Sequence, residues 1–352
     1  MGLGISIAVE GNPEPELAEA SLVEVEEKMG KATTFKLHYG ADISEGDLPM
    51  LVDDRRGAGS EISILVPTNG GRQCLVKGPV TGQRIHLQHG GAGSTMVVHG
   101  CDSSITMDRE AKSQVWAGLT DSDAVTAILG GYGYAPDVEA TSAGHFEDKH
   151  TLIQRSTDLY FVQQLARRNG FLFWVTSDEF GIETAHFKRP PLDGSAEAEL
   201  VINLDSPAIQ QLDIEWDVER PTSVEARQLD LNAKTDIDGG VARLPLTLLG
   251  DSSLADITGD TRSQYLTAPS DDAGDLTSRG EGALIESGWF IRATCQTSAD
   301  LLGRLVRGST MVEVRGAGSR HSGNYFVASV RHLIDAVTHS MEIELIRNAW
   351  NS

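Results

Sequence analysis

Apolar and polar residues alternate one by one through much of this chain. In an extended segment, such a period of two places the apolar side chains on one face and the polar ones on the other. The clearest examples are Phe35, Leu37 and Tyr39, then Leu212, Ile214, Trp216 and Val218, and then Met341, Ile343 and Leu345. The pattern predicts a mainly β fold of the α+β class, built largely from half-buried antiparallel sheets.

Three helices are expected to interrupt the strands, because each begins at a residue type that caps helix N-termini. Thr120 and Asp123 have the spacing of a capping box. Asn169 and Gly170 are expected to end the second helix in a left-handed turn. The predicted helices cover residues 120–131, 156–169 and 297–308.

Composition and one repeat define the predicted domains. Residues 1–30, with clustered glutamates and prolines, and residues 233–282, rich in Asp, Gly, Ser and Thr, are expected to be poorly structured. The pentapeptide RGAGS occurs at residues 56–60 and again at 315–319, each time beside a β pattern, which indicates two related β-barrels. We predict three domains: residues 1–115, 116–200 and 201–352, with an insertion at about 233–282.

The charge of the chain excludes several classes of partner. Lys and Arg number 29 against 51 Asp and Glu, so the net charge is −22. This charge repels phosphate backbones, and nucleic acid is therefore not expected as a partner. No apolar run approaches the ~20 residues of a membrane helix, so direct membrane insertion is not expected.

Cys74, Cys101 and Cys295 match no disulfide or zinc pattern and are predicted to be buried in a reducing cytosol.

Compact catalytic and metal-binding signatures are not found in the sequence. The densest group of possible metal ligands is His145, Glu147, Asp148 and His150. Its spacing fits no zinc signature, and we interpret it as a loop. His332, Asp335 and His339 surround a predicted hairpin turn and are assigned to local hydrogen bonding. Since a GxSxG elbow and a P-loop lysine are also missing, we predict no catalytic, cofactor-binding or metal-binding residue.

Residues 153–174, IQRSTDLYFVQQLARRNGFLFW, resemble the most recognisable segment of the late control D and valine-glycine-repeat (VgrG) families of contractile tails and injection systems. Residues 119–138 resemble the helix upstream of that segment, and residues 322–350 are similar to the closing hairpin of late control D proteins. The residues that carry the resemblance are Gln154, Leu165, Ala166, Arg167, Gly170, Phe171, Phe173, Trp174, Gly323, Tyr325, Val327, Val330, His332, Arg347 and Asn348.

The resemblance implies a fold of two tube-like β-barrels with a helical region between them, and three such chains forming a ring. The resemblance implies a non-enzymatic baseplate hub. Such a hub is a homotrimer that adapts the symmetry of a hexameric inner tube, or of a tube-initiating adapter, to that of a trimeric spike. Because the sequence ends after the predicted closing strand, we expect the spike, with its OB-fold and β-helix, to be a separate polypeptide. Other baseplate proteins are expected as further partners.

Assembly is expected in the cytoplasm, and the product would be part of a phage tail or an injection particle. The sequence leaves one alternative open, which is a carbohydrate-binding protein or a cell-wall hydrolase that uses a β scaffold. The 51 acidic residues favour no particular pair of carboxylates for such hydrolysis.

Overall fold

The computed structural model describes residues 3–41, 49–146, 151–230, 234–268, 270 and 272–351. The N-terminal part is a run of strands in which buried and exposed side chains alternate. These strands are β1 (Ser6–Val9), β2 (Asn12–Pro13), β3 (Leu22–Lys28), β4 (Thr34–Gly40), β5 (Glu61–Thr68), β6 (Gly71–His86) and β7 (Thr95–Cys101). Short 3-10 helices lie at Leu17–Glu19, Pro49–Leu51, Asp54–Arg56 and Ser103–Asp108.

The middle of the chain contains two helices and several short strands around a hydrophobic core of their own. In chain order these are β8 (Ala111–Trp116), β9 (Leu119–Thr120), α1 (Asp121–Gly131), β10 (Ala135–Val138), β11 (Gly144–His145), β12 (Leu152–Thr157), α2 (Asp158–Arg168), β13 (Leu172–Ser177) and β14 (Glu183–Lys188). The helices pack on the sheet β10-β14-β13, whose aromatic residues fill the core between them.

The C-terminal part returns to strands and adds four helices. Its elements are β15 (Ala198–Val201), β16 (Leu212–Trp216), β17 (Ser223–Asp230), β18 (Thr235–Asp238), β19 (Ser252–Ser253), α3 (Leu254–Thr258), β20 (Ser263–Leu266), α4 (Ala273–Gly288), β21 (Ile291–Ser298), α5 (Ala299–Leu302), β22 (Met311–Arg315), α6 (Gly318–His321), β23 (Gly323–Ile334), β24 (His339–Arg347) and β25 (Ala349–Trp350).

One sheet of 13 strands joins the two ends of the chain. Its order is β16-β21-β24-β23-β3-β4-β7-β6-β5-β1-β2, with β22 and β15 branching from β23. The prediction of a mainly β fold is confirmed. The prediction of two separate barrels is wrong for the described residues, which form no closed barrel. The reason is the length of β23, which pairs with β22 near Gly323 and with β3 near Ile334, so the two strand regions merge.

The first two predicted helices are confirmed, and the third is shorter than predicted. Thr120 and Asp123 form the expected capping box of α1, and Thr157 caps α2. The third helix, α5, ends after one turn because Gly303 adopts a left-handed conformation with φ 70°. The 16-residue helix α4 was not predicted at all.

Both segments predicted to be poorly structured contain regular elements. Within residues 3–30, the glutamates of β3 alternate with Val23 and Val25, which lie in the main core. Ala268 and Leu276, from the described part of 233–282, form a small core with Ala226 of β17 beneath the sheet β18-β17-β20. The polar composition reflects the exposed faces of these elements.

The main core lies under the large sheet and takes residues from both ends of the chain. A smaller cluster around Trp289 and Phe326, whose rings stack at 5.8 Å, joins this core to the segment that contains α4. Among the described helices, none is long and apolar enough to cross a bilayer.

Candidate functional site

Helices α1 and α2 run antiparallel, and each begins at a buried aspartate. Asp121 at the start of α1 accepts a hydrogen bond from Asn169, which follows the end of α2. Asp158 at the start of α2 accepts one from Tyr132, which follows the end of α1. The helix dipole favours a carboxylate at both positions. The two aspartates therefore join the helices at both ends, and we call them the helix-pair aspartates.

Asp158 organises the contact between α2 and the strands that precede it. Its Oδ1 accepts a hydrogen bond of 2.7 Å from Nε2 of Gln154, and its Oδ2 accepts one of 2.8 Å from the Tyr132 hydroxyl and another from Lys112. Burial raises the pKa of Asp158, but these hydrogen bonds outweigh burial and hold the pKa below its ordinary value. Gln154 is fully buried and also accepts a hydrogen bond of 3.2 Å from the indole N–H of Trp116.

Asp121 is held in the same way at the other end of the pair. Arg168 donates from Nε to Oδ2 at 2.6 Å and from Nη2 to Oδ1, and Asn169 donates to Oδ2 at 2.7 Å. His145 lies 2.8 Å from Oδ1. Burial raises the pKa of Asp121, but the contacts with His145 and Arg168 outweigh burial and lower that pKa overall.

His145 thus supports the helix pair, and nothing in its contacts indicates a metal ligand. Glu147, Asp148 and His150, the other members of the predicted ligand group, lie outside the described residues. Within the described ranges, His, Cys, Asp and Glu side chains form no group of three that could hold a metal ion.

The end of α2 reverses at Gly170, where φ is 67°. A Cβ atom at this position would lie 2.5 Å from Cδ1 of Ile285 and 3.1 Å from Cα of Gly282, both in α4. A Cβ atom at Gly282 would in turn lie 2.8 Å from the carbonyl oxygen of Arg167. The two glycines therefore let α4 approach the end of α2 more closely than any other residue would allow.

The other residues of this predicted motif fall into two groups. Leu165, Ala166, Phe171 and Phe173 are buried in the core of the middle part. Trp174 points to the opposite face of β13 and stacks on His186 with ring centroids 4.5 Å apart. Arg167 is exposed and forms an ion pair of 2.9 Å with Glu286 of α4.

In the closing hairpin, Arg347 and Asn348 hold the chain segment around Leu249. The buried guanidinium of Arg347 donates to the carbonyl oxygen of Leu249 at 2.8 Å, and its Nη1 donates to the carbonyl oxygen of Ser322 at 3.2 Å. Asn348 accepts a hydrogen bond of 2.9 Å from the Leu249 N–H and donates one of 2.9 Å to the carbonyl oxygen of Thr247. Backbone groups of two other segments are satisfied in this way.

Gly323 and Tyr325 make room for that guanidinium. A Cβ atom at Gly323 would lie 3.0 Å from Nη2 of Arg347, and φ at Gly323 is 123°. The guanidinium lies over the Tyr325 ring, 5.2 Å from its centroid. Val327 and Val330 are fully buried in the main core.

His332 and His339 form a buried pair across the closing hairpin. Nδ1 of His332 lies 3.0 Å from Nε2 of His339. Burial lowers the pKa of His332 well below its usual value and lowers the pKa of His339 to about 4, so both rings are neutral at pH 7. Asp335 does not join them, because its Oδ1 accepts the N–H groups of Val337 and Thr338 in the turn.

Many of the polar groups described above make contacts within the chain. Both helix-pair aspartates are surrounded by internal donors. The cysteines are buried as predicted, and burial raises the pKa of Cys74 to about 11, which keeps its thiol protonated at neutral pH.

Sequence reasoning selected Arg167 and missed Arg168, Asp121 and Asp158. A usable signal was present, because each aspartate directly follows the threonine that caps its helix. The sequence contains no comparable signal for Gly282, since its role depends on a contact between distant segments.

Solved structures with a similar fold include phage tail proteins. A tail protein from Neisseria meningitidis MC58 has a TM-score of 0.66 and 15% identity over 99% of this chain and 98% of that chain. A 43 kDa tail protein of prophage MuSo2 from Shewanella oneidensis has a TM-score of 0.69 and 15% identity over 98% of both chains. The c3393 protein of E. coli, a component of the type VI secretion system, has a TM-score of 0.58 and 13% identity over 97% of this chain and 76% of that chain.

At these identities the likeness concerns the fold. The family is given by sequence: the chain belongs to the Alg8 N-terminal domain family, whose model matches residues 3–336. No curated protein matches the sequence. Membership of the late control D or VgrG families stays a prediction from the motifs.

Proposed function

We propose that this chain is the structural baseplate hub of a contractile phage tail or of a related injection system. The observation that carries this proposal is the end-to-end fold likeness to two tail proteins, with TM-scores of 0.66 and 0.69 over at least 98% of each chain. A likeness over the whole length leaves no large part of the chain that would need another explanation.

The contacts of the motif residues agree with a structural function. Gln154, Gly170, Arg347 and Asn348 each contact segments that are distant in sequence. Rigid placement of surfaces is what an adapter between assemblies needs. We infer that the chain is not an enzyme.

In this proposal the hub is a homotrimer that connects a hexameric inner tube to a trimeric spike. A chain with two related strand regions offers six such regions in a closed ring of three, which would match a sixfold tube. The three predicted domains, with the insertion at about 233–282, stay part of this proposal, and the first and the third share the large sheet. The protein would assemble in the cytoplasm and become part of the tail or injection particle.

Size exclusion coupled to light scattering, together with negative-stain images, tests the proposal. We expect a mass of three times 37.8 kDa and a ring with a central hole, both unchanged by a chelator. A stable monomer at high protein concentration, with or without a spike protein, contradicts the hub assignment. Turnover of peptidoglycan or binding to a glycan array would support the alternative of a hydrolase or carbohydrate-binding protein.

A further inference from the structure

Two asparagines of this chain precede a glycine, and the structure places them in opposite environments. Asn69 and Gly70 form the turn between β5 and β6, and both are exposed. Asn169 and Gly170 follow α2, and both are buried. An Asn-Gly pair is reactive because a glycine, which lacks a side chain, leaves its backbone nitrogen open to the asparagine side chain. A difference in reactivity between the two pairs therefore reports their surroundings.

The exposed pair is only loosely held. Nδ2 of Asn69 donates a hydrogen bond of 2.9 Å to the carbonyl oxygen of Gly303, and this contact is exposed to solvent. Among the described residues, the Asn69 side chain makes no other hydrogen bond, and the N–H of Gly70 has no backbone acceptor. This N–H is therefore left to water. A dissolved base can remove its proton, and the nitrogen can then reach the side-chain carbonyl carbon of Asn69.

The buried pair is held by internal hydrogen bonds. Nδ2 of Asn169 donates to Oδ2 of Asp121 at 2.7 Å and to the carbonyl oxygen of Leu165 at 2.8 Å. The N–H of Gly170 donates to the carbonyl oxygen of Arg167 at 3.1 Å. The same reaction at Asn169 would break these hydrogen bonds, and it would require local unfolding at the end of α2.

We propose that Asn69 is a site of spontaneous deamidation in the folded protein, whereas Asn169 is protected. The backbone nitrogen of Gly70 loses its proton to base and forms a bond to Cγ of Asn69. The side-chain nitrogen takes up a proton and leaves as ammonia. Water then opens the cyclic imide at one of its carbonyl carbons, which gives aspartate or isoaspartate. The net reaction converts asparagine and water into an acidic residue and ammonia, without oxidation or reduction.

The reaction changes the protein surface in two ways. It converts a neutral side chain into a carboxylate, so the net charge changes from −22 to −22 − 1 = −23. It also removes the donor of the contact with Gly303, which lies at the end of α5, and places a carboxylate beside that carbonyl oxygen. The contact between the β5–β6 turn and α5 is therefore loosened as a copy of the protein ages.

Prolonged incubation of the folded protein in mildly alkaline buffer tests the proposal. Samples are digested with pepsin in acid, which stops further reaction, and the peptides are analysed by mass spectrometry. We expect Asn69 to deamidate at least about tenfold faster than Asn169, because only Asn169 must first be released by local unfolding. In the chain unfolded in guanidinium chloride, the two asparagines should react at similar rates.

Gly70→Ala provides the matched variant. The φ angle of Gly70 lies outside the left-handed region, and a Cβ atom there would meet no heavy atom within 4 Å, so the fold should be kept. The added methyl group hinders the approach of the nitrogen to Cγ and should slow deamidation of Asn69 at least about tenfold. The melting temperature should stay at the wild-type value. Asn69→Asp should elute with the aged wild-type protein in anion-exchange chromatography, because both carry the additional charge.

Each outcome decides for or against this site. If Asn69 stays intact in the folded protein but reacts in the unfolded chain, the turn protects it and the proposal is overturned. Equal rates at Asn69 and Asn169 in the folded protein, or an unchanged rate in Gly70→Ala, would also overturn it. The absence of a trimer would bear only on the hub proposal, since the reaction needs only the turn and water.

Discussion

Two adjacent arginines at the end of α2 have opposite environments. Arg167 is exposed and pairs with the exposed Glu286, whereas Arg168 reaches the buried Asp121. Removing one partner of a buried pair leaves an uncompensated charge, which costs far more than loss of a surface pair. We expect Arg168→Met to lower the free energy of unfolding by about 3 kcal/mol and Arg167→Met by less than about 1 kcal/mol. Urea unfolding of both variants measures this difference, and equal effects would contradict the assignment.

Gly170 combines a left-handed backbone with close packing, and the two effects can be separated. Gly133 has φ 80° but open space around a Cβ atom, so Gly133→Ala reports the backbone effect alone. We expect Gly133→Ala to lower the free energy of unfolding by about 1 kcal/mol. Gly170→Ala should lower it by about 2 kcal/mol or more, because Ile285 must also move. Thermal unfolding compares them. If both variants lower the free energy of unfolding equally, the contact of Gly170 with α4 is not as tight as described.

The buried pair His332 and His339 makes stability depend on pH. The folded-state pKa of His339 is about 4 against 6.5 for a free histidine, and that of His332 is also lowered. Above about pH 6.5 both rings are neutral in the folded and unfolded chains, so this stability is fully present. As the pH falls towards 4, only the unfolded chain takes up protons, and stability is lost.

Replacing one histidine should weaken that dependence. We expect the free energy of unfolding of His339→Gln to fall less steeply between pH 6 and 5 than that of the wild type, by about 1.4 kcal/mol per pH unit. Chemical denaturation at several pH values gives the two slopes. A slope for His339→Gln equal to that of the wild type would contradict this assignment.

At the residue scale, the sequence predicted which positions lie in the interior better than it predicted their partners. Gln154, Arg347 and Asn348 are buried and bonded, but the contact of Gln154 with Trp116 and the contacts of the other two with Leu249 follow from the three-dimensional arrangement. A motif gives residue types along the chain. Whether Arg167 or Arg168 reaches the buried Asp121 depends on the rotation of α2 against α1.

At the scale of elements, alternation predicted the strands because it records burial on one face, as in β4 and β24. It did not predict which strands pair, since the register of β23 with β3 joins residues about 300 positions apart. Helix α4 was not predicted, for a different reason. Its glycines lower helix propensity, and they are tolerated because Gly282 packs against the end of α2.

The docking of α4 changes the expected proteolysis of the segment 234–288. Lys234 and Arg243 are exposed outside the helices, whereas Arg279 lies in α4 and donates to Asp275 at 2.9 Å. Limited trypsin digestion should therefore cut at Lys234 and Arg243 well before Arg279, because a protease needs locally unfolded chain. Mass spectrometry of the early fragments identifies the sites. Early cleavage at Arg279 would mean that α4 is not stably docked.

At the scale of the whole molecule, charge opposes the association of identical copies. Three chains of −22 carry 3 × −22 = −66. At about 0.01 M salt the screening length is ~30 Å, so charges repel one another across the whole assembly. At about 0.15 M it is ~8 Å, and only neighbouring charges still interact. Moderate salt therefore removes long-range repulsion, while the apolar part of an interface is retained.

We accordingly expect the fraction of trimer at a fixed protein concentration to rise between about 0.01 M and 0.15 M sodium chloride. Sedimentation velocity over a salt series measures the trimer fraction. A trimer that dissociates steadily as salt increases would show that attraction between charges dominates the interface, and would contradict this expectation.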